Sequence, residues 1–231
     1  MKITVLTLFE QVVWPYLNAS IMAQAQKAKL VEFEVINWRQ YCKDKHQTVD
    51  DMAYGGGGGM VLKAEPILKA LKACRTPQSK VVLLSPEGQQ FSQPMAQALT
   101  QTEHLILICG HYEGFDYRLY KHVDQIISLG DFVLSGGELV ALSVIDATVR
   151  LIKGVINDQS LIHESFNNYL LDFPAYTRPY DLDGDKVPEI LLSGDHKKIE
   201  AYRKEQQLLR TAQYRPDLYK QYLAKKDEKN K

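Results

Sequence analysis

Apolar residues recur along the chain in two rhythms, and their alternation sets the fold class. Short apolar runs at 3–8, 31–36, 81–84, 105–109 and 126–129 have the length and composition of buried strands. Between them lie stretches at 11–29, 65–74, 92–101 and 138–152 that are long enough for helices. Strand and helix alternate over the first two thirds of the chain, which predicts an α/β domain on a parallel sheet. After Gly154 the texture changes, because 157–179 has no clear period and Pro179, Asp181, Asp183, Gly184, Asp185 and Pro188 all favour turns. Helical patterning returns at 195–209 and 216–224, where Ile199, Tyr202, Leu208, Leu218 and Tyr222 sit among charged residues. A small α-helical domain is expected there.

Composition narrows the class. With 231 residues, 45% hydrophobic and 24% charged, the chain is globular rather than disordered. Its longest apolar runs, such as Leu105 to Cys109, fall far short of the roughly 18 residues of a membrane span. Thr4, Thr7 and Glu10 interrupt any secretory signal at the start. Three widely spaced cysteines, Cys42, Cys74 and Cys109, fit reduced thiols, so a cytoplasmic location and no membrane partner are expected. Basic and acidic residues balance at 28 each, yet 196–231 holds 11 basic and 5 acidic ones. A basic end can face a polyanion or be a solvated helical tail, and charge by itself favours the tail.

The candidate chemistry lies in the glycines. Five run from Gly55 to Gly59, but no Gly-Lys-Ser/Thr follows, so this is not a phosphate-binding P-loop. A backbone surface for a nucleotide or RNA is favoured over an idle surface loop. Three predicted strands end in turns: Leu84 runs into Ser85-Pro86-Glu87-Gly88, Cys109 into Gly110-His111-Tyr112-Glu113-Gly114, and Leu129 into Gly130-Asp131. Open α/β sheets bind ligands at that end of their strands, and three such turns suit a nucleoside better than a metal. Ser135 and Glu138 have capping-box spacing, while Gly136 and Gly137 in a first helical turn imply a close approach. The following helix carries one stripe of Leu139, Leu142, Ile145, Val149 and Ile152 and another of Val140, Val144, Ala147 and Leu151, which suits a helix between its own sheet and a partner subunit. Taken singly, Arg150 would assist the end of that helix and Glu164 would be an ordinary loop carboxylate. Cys42 and His46 have no second pair to complete a metal site, no Gly-x-Ser-x-Gly is present, and Cys109 reads as a buried strand residue.

The combination is specific. Leu6-Thr7-Leu8-Phe9, Asp44-Lys45-His46, Val49-Asp50-Asp51, Tyr54 to Met60, Leu84-Ser85-Pro86, Cys109 to Gly114, Gly130 to Glu138, Tyr176-Thr177-Arg178-Pro179 and Leu192-Ser193-Gly194 resemble, in order, the motifs of the bacterial tRNA (guanine-N(1)-)-methyltransferase family, TrmD, of the SPOUT superfamily. The resemblance covers all but about the last dozen residues. It implies a SPOUT-type parallel sheet tied in a deep trefoil knot over 1–156, a flexible active-site linker at 157–173, and a helical tRNA-binding domain at 174–231. It further implies a homodimer that acts on tRNA rather than DNA. S-adenosyl-L-methionine would lie among Leu83, Leu84, Ser85, Pro86, Gly110, Tyr112, Glu113, Ser128, Leu129, Gly130, Leu134, Gly136 and Gly137. The family also uses Mg2+, for which Glu113 is a candidate contact, but no ligand cluster in the sequence marks a site.

By the same resemblance the methyl acceptor is N(1) of the guanosine at position 37, on the 3′ side of the anticodon. N(1) carries a proton at neutral pH, so methylation needs a base to remove it and a cation to hold charge on O6. The family's base falls on Glu164 and its arginine on Arg150. Asp is usual in the family where Glu164 stands, Arg where Gln24 stands, Pro for Gly58 and Glu for Tyr117. Asp158 and His163 are the nearest alternative bases. His46, Asp50, Gly59, Ser165, Arg178, Lys197, Lys198, Arg203, Arg210 and Arg215 are the expected tRNA contacts. Rival readings are a knotted methyltransferase for another RNA site and a non-catalytic RNA-binding protein.

Overall fold

The computed structural model describes residues 1–157, 160–161 and 164–229, in two compact units, Met1–Ile156 and Asn157–Lys231. In the first unit the strands β1 (Lys2–Thr7), β2 (Glu32–Asn37), β5 (Ser79–Gln90), β6 (His104–Ile108) and β7 (Gln125–Ser128) form one parallel sheet, ordered β2-β1-β6-β5-β7. Two short strands, β3 (Asp50–Asp51) and β4 (Val61–Leu62), pair separately.

Both faces of the sheet are buried, which is why its strands read as continuous apolar runs. Successive residues alternate between the faces. Val82, Leu84, Leu105, Leu107 and Cys109 join one core with Val13 and Leu17 of α1 (Glu10–Leu17) and Met22 and Ala25 of α2 (Ser20–Lys27). Val81, Leu83, Ile106 and Ile108 join the opposite core with Ile67, Ala70 and Leu71 of α3 (Ala64–Cys74). Leu99 of α4 (Gln93–Leu99) lies on the first face.

Three expectations are corrected. The helix expected at 11–29 is two helices: Asn18 closes α1, Ala19 is extended and Ser20 has φ +45°. Asn and Ser favour caps and turns over helix interiors, and the break lets Leu17 and Met22 reach one core. β5 does not end at Leu84 in a turn. Leu84 and Gln89 both lie opposite Ile127, so the residues between them form a bulge, and Gly88 sits on the Ile127 backbone, where a Cβ would come within 2.5 Å of N. Finally, α5 (Glu138–Val149) stops three residues short of the expected end at 152, and its buried stripe is Ala141, Val144, Ile145, Thr148 and Val149. Ile145 is therefore in its own unit's core, while Leu139 on the other side is 57% exposed. Thr148, a polar letter, hid this stripe in the sequence.

The second unit holds a two-strand hairpin, β8 (Asp181–Leu182) and β9 (Asp185–Lys186), turned at Asp183 and Gly184, whose φ are +53° and +95°. α6 (His196–Tyr214), which ends five residues beyond the expected 209, is capped by the Asp195 carboxylate on the Lys198 N–H at 3.2 Å. The buried Thr211 hydroxyl accepts the Leu171 N–H at 2.9 Å and donates to the Gln207 carbonyl at 2.6 Å. Pro216 opens α7 (Pro216–Lys229). Among the described residues no helix is long and apolar enough to cross a membrane.

Candidate functional site

The carboxyl ends of β5, β6 and β7 open into a cleft of about 330 Å³. The β5 bulge supplies Leu84, Ser85 and Pro86, the turn after β6 supplies Gly110, Tyr112 and Glu113, and the segment between β7 and α5 supplies Ser128, Leu129, Gly130, Leu134, Gly136 and Gly137. Leu83, the remaining expected cofactor contact, does not line it. Strand alternation turns Leu83 to the opposite face, fully buried with Ile106 and Ile108. The close approach expected at the paired glycines is real: a Cβ on Gly137 would lie 2.9 Å from both Cys109 Cα and Gly110 N. A Cβ on Gly110 would meet the Phe115 ring at 2.7 Å, and one on Gly130 the Phe132 ring at 2.9 Å.

Sequence reasoning missed several cleft residues. Glu87 accepts hydrogen bonds from the Tyr120 hydroxyl and, at 3.3 Å, from Ser85 Oγ. Burial and the Glu87 carboxylate push the Tyr120 phenol up to about 12. Tyr117 stacks on Tyr120 with ring centroids 4.8 Å apart. No periodic pattern marks such residues, because Glu87 lies in the bulge of β5 and Tyr117 and Tyr120 in a short 3-10 helix.

The capping box expected at Ser135 and Glu138 is not formed. Gly137 occupies the cap position with no side-chain bond, and the Glu138 carboxylate turns inward. Glu138 is 4% exposed, accepts the Thr7 hydroxyl at 2.5 Å and meets His111 Nε2 at 2.7 Å. Complete burial, with Glu138 adding to it, raises the Cys109 thiol well above its usual range, so Cys109 is an inert strand residue.

Of the expected catalytic pair, Arg150 caps α5 in the first unit, and Glu164 lies in the second, half-buried, with its carbonyl accepting the Asn167 N–H at 3.2 Å. Asp158 and His163 lie outside the described residues. Among the expected tRNA contacts of the first unit, His46 is exposed in a loop held by Asp44, whose carboxylate accepts the Thr48 hydroxyl at 2.7 Å and is held below its usual range by that bond. Asp50 pairs with Leu62 across β3 and β4. Gly59 abuts the Glu113 side chain, and the neighbouring Met60 carbonyl accepts the Glu113 N–H at 3.0 Å, which ties this loop to the cleft. A Cβ on any of Gly55 to Gly58 would meet open space, and positive φ at Gly55, Gly56 and Gly57 favours glycine there.

In the second unit, Arg178, Lys197 and Lys198 are exposed. The Ser165 hydroxyl is taken up by the Asp172 N–H at 3.1 Å. Arg203 lies 4.6 Å over the Phe173 ring, Arg210 lies 5.7 Å from the Tyr214 ring centre, and Arg215 pairs with Asp217 at 2.6 Å. Among the described residues no group of three or more His, Cys, Asp or Glu side chains could hold a metal ion.

A parallel five-stranded sheet with a glycine-walled cleft at its strand ends defines an α/β protein whose cleft lies where open sheets of this class bind their ligands. The family described as tRNA (guanine-1)-methyltransferase TrmD matches residues 1–221, and the chain belongs to it. It is similar to the tRNA (guanine-N(1)-)-methyltransferase of Mycoplasma genitalium, with 77% identity over 231 residues and the whole of both chains. The enzyme of the same name from Ureaplasma urealyticum is 52% identical over 98% of this chain and 100% of its own. That of Clostridium botulinum, strain Alaska E43, is 49% identical over 99% and 97%.

Proposed function

We propose that the protein transfers a methyl group from S-adenosyl-L-methionine to N(1) of the guanosine at position 37 of tRNA. Family membership supports the reaction, and the glycine-walled cleft is the observation that carries the cofactor. Its walls fit such a molecule: Gly110, Gly136 and Gly137 line the cleft without side chains of their own, the Gly137 N–H and the Gly110 carbonyl being spent on each other. Leu84, Ile127, Leu134 and Val140 supply apolar cover. When bound, the cofactor supplies an electrophilic sulfonium methyl group.

The chain's residues supply the rest. Glu164 removes the N(1) proton, and the Arg150 guanidinium holds the negative charge that develops on O6. Apolar surroundings strengthen a carboxylate as a base, so shielding Glu164 from water when the substrate is bound serves the chemistry. Lys197, Lys198 and Arg203 attract tRNA phosphates, as do Arg178, Arg210 and Arg215. The first unit is read as a SPOUT domain with a trefoil knot, the assembly as a homodimer and the location as cytoplasmic. Incubation with labelled S-adenosylmethionine and unmodified tRNA, followed by nucleoside mapping, is expected to return 1-methylguanosine at position 37. Label on another nucleoside would favour a methyltransferase for a different site, and tRNA binding without transfer would favour a non-catalytic RNA-binding protein.

A further inference from the structure

We infer that Glu138 is a positioning residue for the cofactor cleft and acts through His111; the inference rests on the reading of the cleft given above. Nothing about the start of α5 asks for a glutamate, since its side chain makes no cap. The residue is nonetheless 4% exposed, and a buried carboxylate is costly unless both oxygens are satisfied. Both are. Thr7 Oγ1 donates to Oε1 at 2.5 Å, and His111 Nε2 lies 2.7 Å from Oε2. The Thr7 oxygen is itself occupied by the Phe9 N–H at 2.9 Å, which directs its proton to Glu138. A single hydrogen bond joins His111 Nε2 and Glu138 Oε2.

This contact joins three segments that are far apart in sequence: the end of β1, the turn after β6 and the start of α5. The last two are walls of the cleft, and His111 itself lines it with a side chain 18% exposed. The walls meet as backbone as well. His111 and Gly136 form an antiparallel bridge, and the Gly137 N–H donates to the Gly110 carbonyl at 2.9 Å. A side chain on Gly136 would occupy the space of the His111 ring and of Glu138 Oε2, so this glycine is the counterpart of the pair. The His111 ring packs on Phe9 with centroids 4.6 Å apart.

Glycine-rich turns have the most conformational freedom to lose, and a ligand that must order them binds more weakly. Glu138 removes that cost in advance by fixing the two turns against each other.

The test measures S-adenosylmethionine affinity by titration calorimetry, tRNA affinity by filter binding and melting temperature, all on the full chain. Glu138→Ala and His111→Ala are each expected to weaken cofactor binding about tenfold or more while tRNA affinity stays within about twofold. The double variant should be no weaker than the worse single one, because both remove one contact. Thr7→Val should weaken cofactor binding and Thr7→Ser should restore it. A purely structural role would lower the melting temperature of the variants and leave the cofactor affinity of the folded protein unchanged, and that result would overturn the inference. If Glu138→Ala does not fold, His111→Ala and the two Thr7 variants decide. Failure of the unaltered protein to bind S-adenosylmethionine would instead refute the proposed function.

Discussion

The backbone N–H of Gly137 donates to the carbonyl of Gly110 at 2.9 Å, and no side chain fits between the two segments they join. A Cβ on Gly137 would press on Cys109 Cα and Gly110 N, backbone atoms at the end of the central strand β6 that cannot swing aside as a side chain would. Gly137→Ala is therefore expected to destabilise the fold by about 1–3 kcal/mol, the scale of overpacking, and to reduce cofactor affinity. Denaturant unfolding and calorimetry check both. Gly58→Ala, in open space, is the control and should be near neutral in stability.

Glu164→Gln should leave S-adenosylmethionine affinity intact and lower the single-turnover rate about 100-fold, because an amide cannot take the N(1) proton. Glu164→Asp should retain activity. Arg150→Ala should slow the step on a similar scale through loss of charge at O6. A rate near that of the unaltered enzyme for Glu164→Gln would transfer the base role to another group.

Ile145 and Leu139 face opposite ways on α5, so the same substitution should act differently at each. Ile145 is wholly buried, and Ile145→Glu places an unpaired carboxylate in the core at a cost of several kcal/mol, about enough to unfold the unit. Leu139→Glu adds a charge to a side chain already 57% exposed and should leave circular dichroism unchanged. If the proposed homodimer uses this face, sedimentation should show Leu139→Glu dissociating it.

His104 gives stability a pH dependence. Its ring is 5% exposed, with Nε2 2.8 Å from Thr4 Oγ1 and Nδ1 2.7 Å from Ser79 Oγ. Thr4 spends its own proton on Glu34, so it accepts from Nε2–H, and Ser79 donates to Nδ1, which satisfies the neutral ring. Burial, aided by the Lys2 charge and opposed by Glu34 and Glu32, pulls the imidazole below its ordinary 6.5. The unfolded chain then binds more protons, so this stability is present above 6.5 and is lost as pH falls from there through the lower native value. Urea unfolding at a series of pH values should show the decline below 6.5, and His104→Gln should flatten it. A profile unchanged by His104→Gln would assign the decline to other groups.

The parallel-sheet architecture was legible because each buried strand and amphipathic helix writes its own period into adjacent residues. Glycines at the strand ends were legible for the same reason: a close approach excludes Cβ wherever the opposing backbone comes from, so Gly136 and Gly137 stand out before their neighbours are known. What the tertiary structure alone decided involves partners far apart in the chain. Glu138 looked like a helix cap until folding set it against Thr7, 131 residues away, and His111. Leu83 and Leu84 are indistinguishable as letters, and only the strand's place in the sheet sends one to the core and the other to the cleft. A helix such as α5, apolar on more than one side, declares no single face of its own. Packing against the sheet chose the stripe that contains Ile145 and Thr148 and left Leu139 outside, because local sequence records what a residue avoids in water but not which distant surface removes it.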